Sequence, residues 1–499
     1  MFMEKLEVEI NSAYTENGAK VHSTTGSELV DFFAQGGAMR GQTEENILNL
    51  FFKAYRENKI KAIQMLFYFR DVRGGQGERR LFRVVMSRLA ETDPEYVRKI
   101  LALVPEYGRW EDVYCFVGTP VEDDMWNLVA AQLDEDIKNR CEGKPISLLA
   151  KWLKSERTHG KSNYLGKRTL YALGLHPATY RKILSDLRGY LKVVEKYMSN
   201  GQWEGIEFED VPSQAMMKYY KAFQRNLPEK FEDYKRKLAS GQAKINAATL
   251  YPYQIYQQTK SNIVPDVEIL DQMWNSLPNY LQSATSDALV VADVSGSMTW
   301  TGQPVEPIDI SVSLAAYIAE RLPENSPYKD KFITFSADPK LQKITGENIV
   351  DKFENIENAE WGGNTDLSKV FRLILQTAVK HQIPKEEMIK RLVVISDMEF
   401  DAGTSSDWRY EVEDFLMEEL QKEFAYHEYQ LPKVVWWNVD ARNTHFPMRQ
   451  EEKCLMVSGA SPAIMSAVLN DELITPMDLI EEILNRERYK IIKDNLQKT

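Results

Sequence analysis

Asp293, Ser295 and Ser297 occupy alternate positions in "VVADVSGSMTW", residues 290–300, where an apolar run breaks into one acid and two hydroxyls around Gly296. The apolar run reads as a buried strand, so the polar groups fall on the loop at its carboxyl end. In an open parallel sheet, ligands bind at that edge. Two later stretches have the same character. "WGGNTDLSKV" sets Thr365 and Asp366 after two glycines at the start of a helix, and "LVVISDMEFD" ends another strand in Asp397. Asp293, Ser295, Ser297, Thr365 and Asp397 together offer two carboxylates and three hydroxyls. Hard dications prefer such an all-oxygen set and keep some water. The expected cofactor is therefore Mg²⁺, or another hard cation such as Mn²⁺ or Ca²⁺, with a position left for an outside acidic side chain or phosphate.

The elements that would position these residues change character along the chain. From about residue 28 to 245, stretches such as "ILNLFFKAYRENKIKAIQMLFYFRDVR" and "TYRKILSDLRGYLKVVEKYMS" carry apolar residues three and four apart. Short breaks such as "RGGQGE" and "CEGKP" separate them, as in a stack of helix pairs. From about 286, short Val/Ile/Phe-rich runs ("DALVVADVS", "DKFITFSAD", "RLVVISDMEF", "KVVWWNVD", "KCLMVSG") alternate with helical stretches. That alternation predicts crossover units and a mainly parallel sheet buried on both faces. The expected organisation is an N-terminal segment over 1–27, an all-α repeat domain over 28–265, a connector over 266–285, and a doubly wound, Rossmann-like α/β domain with a terminal helix over 286–499.

Composition narrows the function classes. The net charge of −12 argues against a uniform nucleic-acid coat. The charge is unevenly spread, however. Residues 140–244 hold 21 Lys and Arg against 11 Asp and Glu, a local balance of +10, so the remainder carries −22. The richest part contains Lys151, Lys154, Arg157, His159, Lys161, Lys167, Arg168, Arg181 and Lys182, with Tyr164 and Tyr171 interleaved. The glycine turn "RDVRGGQGERRLFR" adds Arg70, Arg73, Arg79, Arg80 and Arg83. Clustered cations with aromatic residues suit phosphates and stacked bases, whereas an ordinary solvated helix face is the competing reading. The turn lacks the Lys-Ser/Thr ending of a phosphate loop. Cys115, Cys141 and Cys454 are far apart and form no C-x-x-C pair, which suits a reducing compartment. With an acid-interrupted N-terminus and no long apolar run, the expectation is a cytoplasmic monomer without a membrane partner.

"DVSGSM", "GGNTD" and "ISDME" resemble, in order and spacing, the metal-ion-dependent adhesion site of the von Willebrand factor A domain. The resemblance implies that Asp293, Ser295, Ser297, Thr365 and Asp397 hold the metal and that a protein partner supplies an acidic side chain. The helical stretches "FYFRDVRGGQGERRLF", "VPEYGRWEDVY", "ISLLAKWLKSE" and "VPSQAMMKYYKAFQRN" resemble the Ro ribonucleoprotein autoantigens and a broader group of TROVE-like proteins. That resemblance implies HEAT-like repeats forming a ring or horseshoe that binds small non-coding or single-stranded RNA. The expected function is a non-enzymatic RNA-binding scaffold with a metal-dependent partner site. Two alternatives stand beside it. One is a protein-only adhesion scaffold. The other is a metal-dependent nuclease or phosphatase, in which Glu399 and Asp401 act on metal-bound water. No H-E-x-x-H or G-x-S-x-G constellation supports an enzyme more strongly.

Overall fold

The computed structural model describes residues 10–260, 266–282, 288–299, 301–334, 338–358, 366–401, 415–450 and 452–498. The chain is helical in its N-terminal part and α/β in its C-terminal part. It divides into two units. One takes in the chain through Phe69, then Gly74–Glu78 and Leu250–Lys490. The other comprises Arg70–Arg73, Arg79–Thr249 and Ile491–Thr499.

The first unit opens with a hairpin, β1 (Ser12–Tyr14) against β2 (Lys20–His22), in which Ser12 faces His22. Its core is a six-stranded mixed sheet made of β3 (Leu289–Ala292), β4 (Lys331–Thr334), β5 (Leu341–Lys343), β6 (Arg391–Ser396), β7 (Lys433–Asn438) and β8 (Cys454–Ser458). The strand order is β5-β4-β3-β6-β7-β8. All neighbours are parallel except β5, which runs antiparallel to β4 at the edge. Every residue of β3, β6 and β8 is buried, as continuous apolar runs require when both faces are covered. From β3 the chain crosses through Pro307–Arg321 to β4 on one side; after Leu367–His381 it returns to β6 on the other side of β3. The order thus reverses at β3 and β6, which makes their carboxyl ends the switch point of the sheet.

The division falls elsewhere than at the change of period near residue 286. The helices through Phe69, expected within a single helical domain over 28–265, belong with the sheet. The packing gives the reason. Helix Glu28–Gly36 buries Leu29, Val30, Phe32, Phe33 and Ala34, and its C-terminal end sits on β8. Ser458 Oγ donates to the Phe33 carbonyl at 2.7 Å and accepts from the Gly37 amide at 2.9 Å. A Cβ on Gly37 would fall 2.4 Å from the Ser458 carbonyl oxygen, so only glycine permits this approach. Gln64 Nε2 likewise donates to the Leu484 and Tyr489 carbonyls at 3.2 and 3.0 Å. The segment expected as a connector holds helix Val267–Asn275, whose Trp274 packs edge-on against Tyr317 and Phe353.

The second unit is built of helices, among them Arg79–Thr92, Glu122–Cys141, Gly160–Ala172, Pro177–Tyr190, Ser213–Asn226 and Pro228–Ala239. Pro177 and Pro228 stand at first helical positions, where the missing N–H costs nothing. Glu122–Cys141 opens on Glu122, Asp123 and Asp124 and closes with Lys138 and Arg140, which complements its dipole. Phe208 anchors one part of the core, 5.2–5.3 Å from the rings of Phe223, Phe231 and Tyr234. Among the described residues, no helix is long and apolar enough to cross a membrane. The three cysteines are free.

Candidate metal centre and basic faces

The motif residues meet where β3 and β6 end side by side. The Asp293 amide donates to the Ile395 carbonyl at 2.9 Å, extending the parallel ladder by one residue. Asp293 Oδ1 then accepts the Ser295 amide at 2.9 Å, the local turn that Asp favours. This turns the chain into the single 3₁₀ turn Gly296–Met298 and brings the Ser295 and Ser297 hydroxyls within 2.9 Å of each other. Asp397 ends β6 in the same manner, with Oδ1 accepting the Glu399 amide at 3.1 Å. The Ser297 hydroxyl also hydrogen-bonds Asp397. Met398, between the two acids, has φ +67°, a left-handed conformation uncommon outside glycine. Four of the five expected ligands therefore converge. Thr365 lies outside the described residues.

Both carboxylates are buried, and their electrostatics are unbalanced. Burial, together with the neighbouring Asp397 charge, pushes Asp293 up to about 7. Burial also raises Asp397, against the opposing pull of Arg442 and Ser297. A dication would relieve both effects, and hydroxyls and carboxylates are the ligand types it takes. Among the described residues, no three His, Cys, Asp or Glu side chains are grouped as a metal cluster. The motif uses only two such groups and completes its set with hydroxyls, so this does not bear on the fit. The donor set fits a hard divalent ion.

Three residues of the site were not singled out from the sequence. Ser396 Oγ donates to Asp293 Oδ2 at 2.6 Å and lies 3.5 Å from Asp397 Oδ1, tying the two acids together. Its position just before Asp397 in "ISDME" was the available signal. Arg442, on the loop after β7, donates to Asp397 Oδ2 and lies 3.7 Å from Glu16 and 3.8 Å from Asp440. Asp440, buried and pushed up to about 6 mainly by that burial, accepts from Gln303 at 3.2 Å. It is another acid just beyond a strand end, legible by the same reasoning as Asp293 and Asp397. Glu399 is held on both oxygens. Oε1 meets His445 Nε2 at 3.0 Å and Asn443 Nδ2 at 2.8 Å, and Oε2 accepts the Glu16 amide at 2.7 Å. Burial disfavours its charge, but these hydrogen bonds outweigh it and keep the carboxyl below its ordinary range.

The basic residues of the second unit separate into two groups. Several are engaged internally: Lys154 with Glu111, Arg168 with Glu122, Arg181 with Glu156, and Arg73 with Glu106 at 3.4 Å. Arg157 stands 4.0 Å from Glu156. Arg70 is 0% exposed and bound to Asp112, so it is not a surface cation. Arg83 donates to Asp112 and Glu111 at 2.6 and 3.1 Å. The rest face solvent. His159, Lys161, Lys167, Lys182, Arg79 and Arg80 are exposed, and Lys151 is half-buried. Lys161, Tyr164, Arg168 and Tyr171 follow one another at helical spacing on Gly160–Ala172, with Tyr164 54% and Tyr171 88% exposed. Lys151 lines a cavity of about 660 Å³ together with Trp152, Arg181, Arg188 and Lys196.

Family models match both parts: a domain of unknown function, DUF7788, over residues 287–498, and another, DUF2828, over 146–287. An uncharacterized protein, L728, of Acanthamoeba polyphaga mimivirus is 31% identical over 518 residues, covering 95% of this chain and 87% of the viral one. The chain belongs to the same family as that viral protein.

Proposed function

We propose that the protein is an RNA-binding scaffold whose helical unit is HEAT-like and holds single-stranded or small non-coding RNA. In this reading the sheet unit is of the von Willebrand factor A type and uses Mg²⁺ to engage an acidic side chain of a protein partner. The observation that carries the RNA reading is the exposed stripe on Gly160–Ala172. Tyr164 and Tyr171 lie two turns apart with the exposed Lys161 and Lys167 around them. Exposed tyrosines at that spacing contribute little to folding, whereas stacking on bases gives them a use, at roughly 1–3 kcal/mol per base. For the sheet unit, support comes from the convergence of Asp293, Ser295, Ser297 and Asp397 at the switch point, and from Asp293's position in a buried, under-neutralised pair. Ser295, Ser297, Asp293 and Asp397 would hold the ion, with Ser396 fixing the acids. The ion would supply an electrophilic centre for an incoming carboxylate.

The test is a fluorescence anisotropy titration of single-stranded RNA against the full chain and its Tyr164→Ala/Tyr171→Ala variant. Binding by the parent and a loss of about tenfold or more in the variant are expected, at 1.4 kcal/mol per tenfold. Equal binding by the two proteins would remove the stripe as the RNA surface. A protein-only scaffold is favoured by one observation, the engagement of Lys154, Arg168 and Arg181 by internal acids. Absence of RNA binding by the parent would select it. The hydrolase reading has less support, because Glu399 already accepts hydrogen bonds on both oxygens and is poorly placed to act as a base.

A further inference from the structure

Asp112 of the helical unit is fully buried and shared among several donors. Its Oδ2 accepts Arg70 Nε at 2.8 Å, Arg70 Nη2 at 2.6 Å and the Arg109 amide at 2.9 Å, and its Oδ1 accepts Arg83 Nε at 2.6 Å. Glu111 is taken by Arg83 and Lys154. Two further arginines stand by this network. The charges of Arg79 and Arg109 act on each other, and both act on Arg70. Among the described residues, no carboxylate forms an ion pair with Arg79 or Arg109. These seven residues thus bring five cations against two acids, leaving three positive charges in excess. Burial, followed by the Arg79 and Arg70 charges, lowers the proton affinity of Arg109.

The geometry around Arg70 is more specific than the charge count. Its side chain is 0% exposed, and its third nitrogen, Nη1, is buried without a hydrogen-bond partner. Buried polar groups in folded proteins are nearly always satisfied, and a charged donor left open is costly. Gly108 lies against the same guanidinium. A Cβ there would fall 2.8 Å from Arg70 Nε and 2.3 Å from Asp112 Oδ2, so the backbone approaches where a side chain could not. Arg109 stacks on Trp152, with its guanidinium carbon 4.8 Å from the ring centroid, which fixes the plane of its donors. Arg79 is exposed and stands one turn before Arg83 on the same helix. A water at Nη1 would satisfy one N–H but would leave the excess charge in place. An oxyanion with several acceptors answers both requirements.

We infer that Arg70, Arg79 and Arg109 form an oxyanion site that takes a phosphoryl group, with Arg70 Nη1 as its buried donor and Arg79 as its exposed one. The site stands independently of the tyrosine stripe, and the phosphoryl group can come from free phosphate or from a nucleic-acid strand. The experiment uses the full chain and its Arg79→Gln/Arg109→Gln variant, with folding checked by circular dichroism. Neither side chain is paired with Asp112, so the variant keeps the buried pair. Inorganic phosphate is titrated calorimetrically against a chloride control of equal ionic strength, and single-stranded RNA is titrated by anisotropy. A loss of about tenfold or more is expected for the loss of charge-assisted donors, at 1.4 kcal/mol per tenfold. Loss in the phosphate arm alone assigns the site to a free phosphate. Loss in the RNA arm, with or without the phosphate arm, assigns it to strand phosphate. If neither arm differs between the two proteins, the inference is overturned. Failure of the Tyr164/Tyr171 test leaves this result untouched, so the two readings fail separately.

Discussion

Replacing Asp293 by Asn removes one of the two buried charges that the site, without a metal, accommodates poorly. The Asp293 carboxyl is raised from an ordinary 3.8 to about 7 by burial and by Asp397. The folded chain therefore holds a proton there that the unfolded chain has released, between roughly pH 4 and 7. Stability falls with rising pH wherever the folded state binds more protons, so the parent should lose stability across that window. At 1.36 kcal/mol per pH unit, the full effect is about 4 kcal/mol. This is an upper figure, since relaxation around a buried charge lowers its cost. Asn keeps the shape and an acceptor for the Ser295 amide. In metal-free buffer with chelator, the variant should therefore be more stable than the parent at pH 8, by up to about 4 kcal/mol, and equal to it near pH 4. Adding Mg²⁺ at pH 8 should stabilise the parent and leave the variant unchanged. Urea denaturation at the two pH values, with and without Mg²⁺, reads all of these. A variant less stable than the parent at pH 8 in chelator would refute the claim that the two acids form an under-neutralised pair.

Other residues give sharper local tests. Arg442→Gln removes the cation that competes for Asp397, so Mg²⁺ affinity should rise roughly fivefold, from about 1 kcal/mol for a part-exposed pair, as read by calorimetry. Asp112→Ala leaves Arg70 and Arg83 without their buried counter-ion and should cost about 3–5 kcal/mol, seen as a lowered urea midpoint. Gly37→Ala drives a methyl against the Ser458 carbonyl and should cost about 1–3 kcal/mol, lowering Tm. An unchanged Tm would mean that the helix Glu28–Gly36 does not press on β8 as described.

Residues whose partners are close in sequence, or fixed by strand ends, could be read before any coordinates. Asp293 and Asp397 each follow an apolar run, and parallel pairing of β3 with β6 brings those ends together. Ser295 and Ser297 needed only the local turn. Arg442 was not legible, because a long side chain from the loop after β7 reaches an acid 45 positions earlier, and spacing carries no trace of that. The basic run shows the same limit. Its charge could be counted, but the engagement of Arg168 by Glu122, 46 positions away, could not. For the first helices, periodicity gave helical stretches from about residue 28 but not what would cover them. Only the contact with β8 decided that they go with the sheet. Arg70 looked like part of a basic turn, and its burial follows from Asp112, 42 positions further on.

The most direct measurement of the central claim is calorimetric titration of Mg²⁺ into chelator-stripped parent and into Asp293→Ala, at a pH above 7 where Asp293 is ionised. A single-site binding heat is expected in the parent and none in the variant, with the far-ultraviolet circular dichroism of the two unchanged. Equal heats in both proteins, or no heat in the parent, would contradict it.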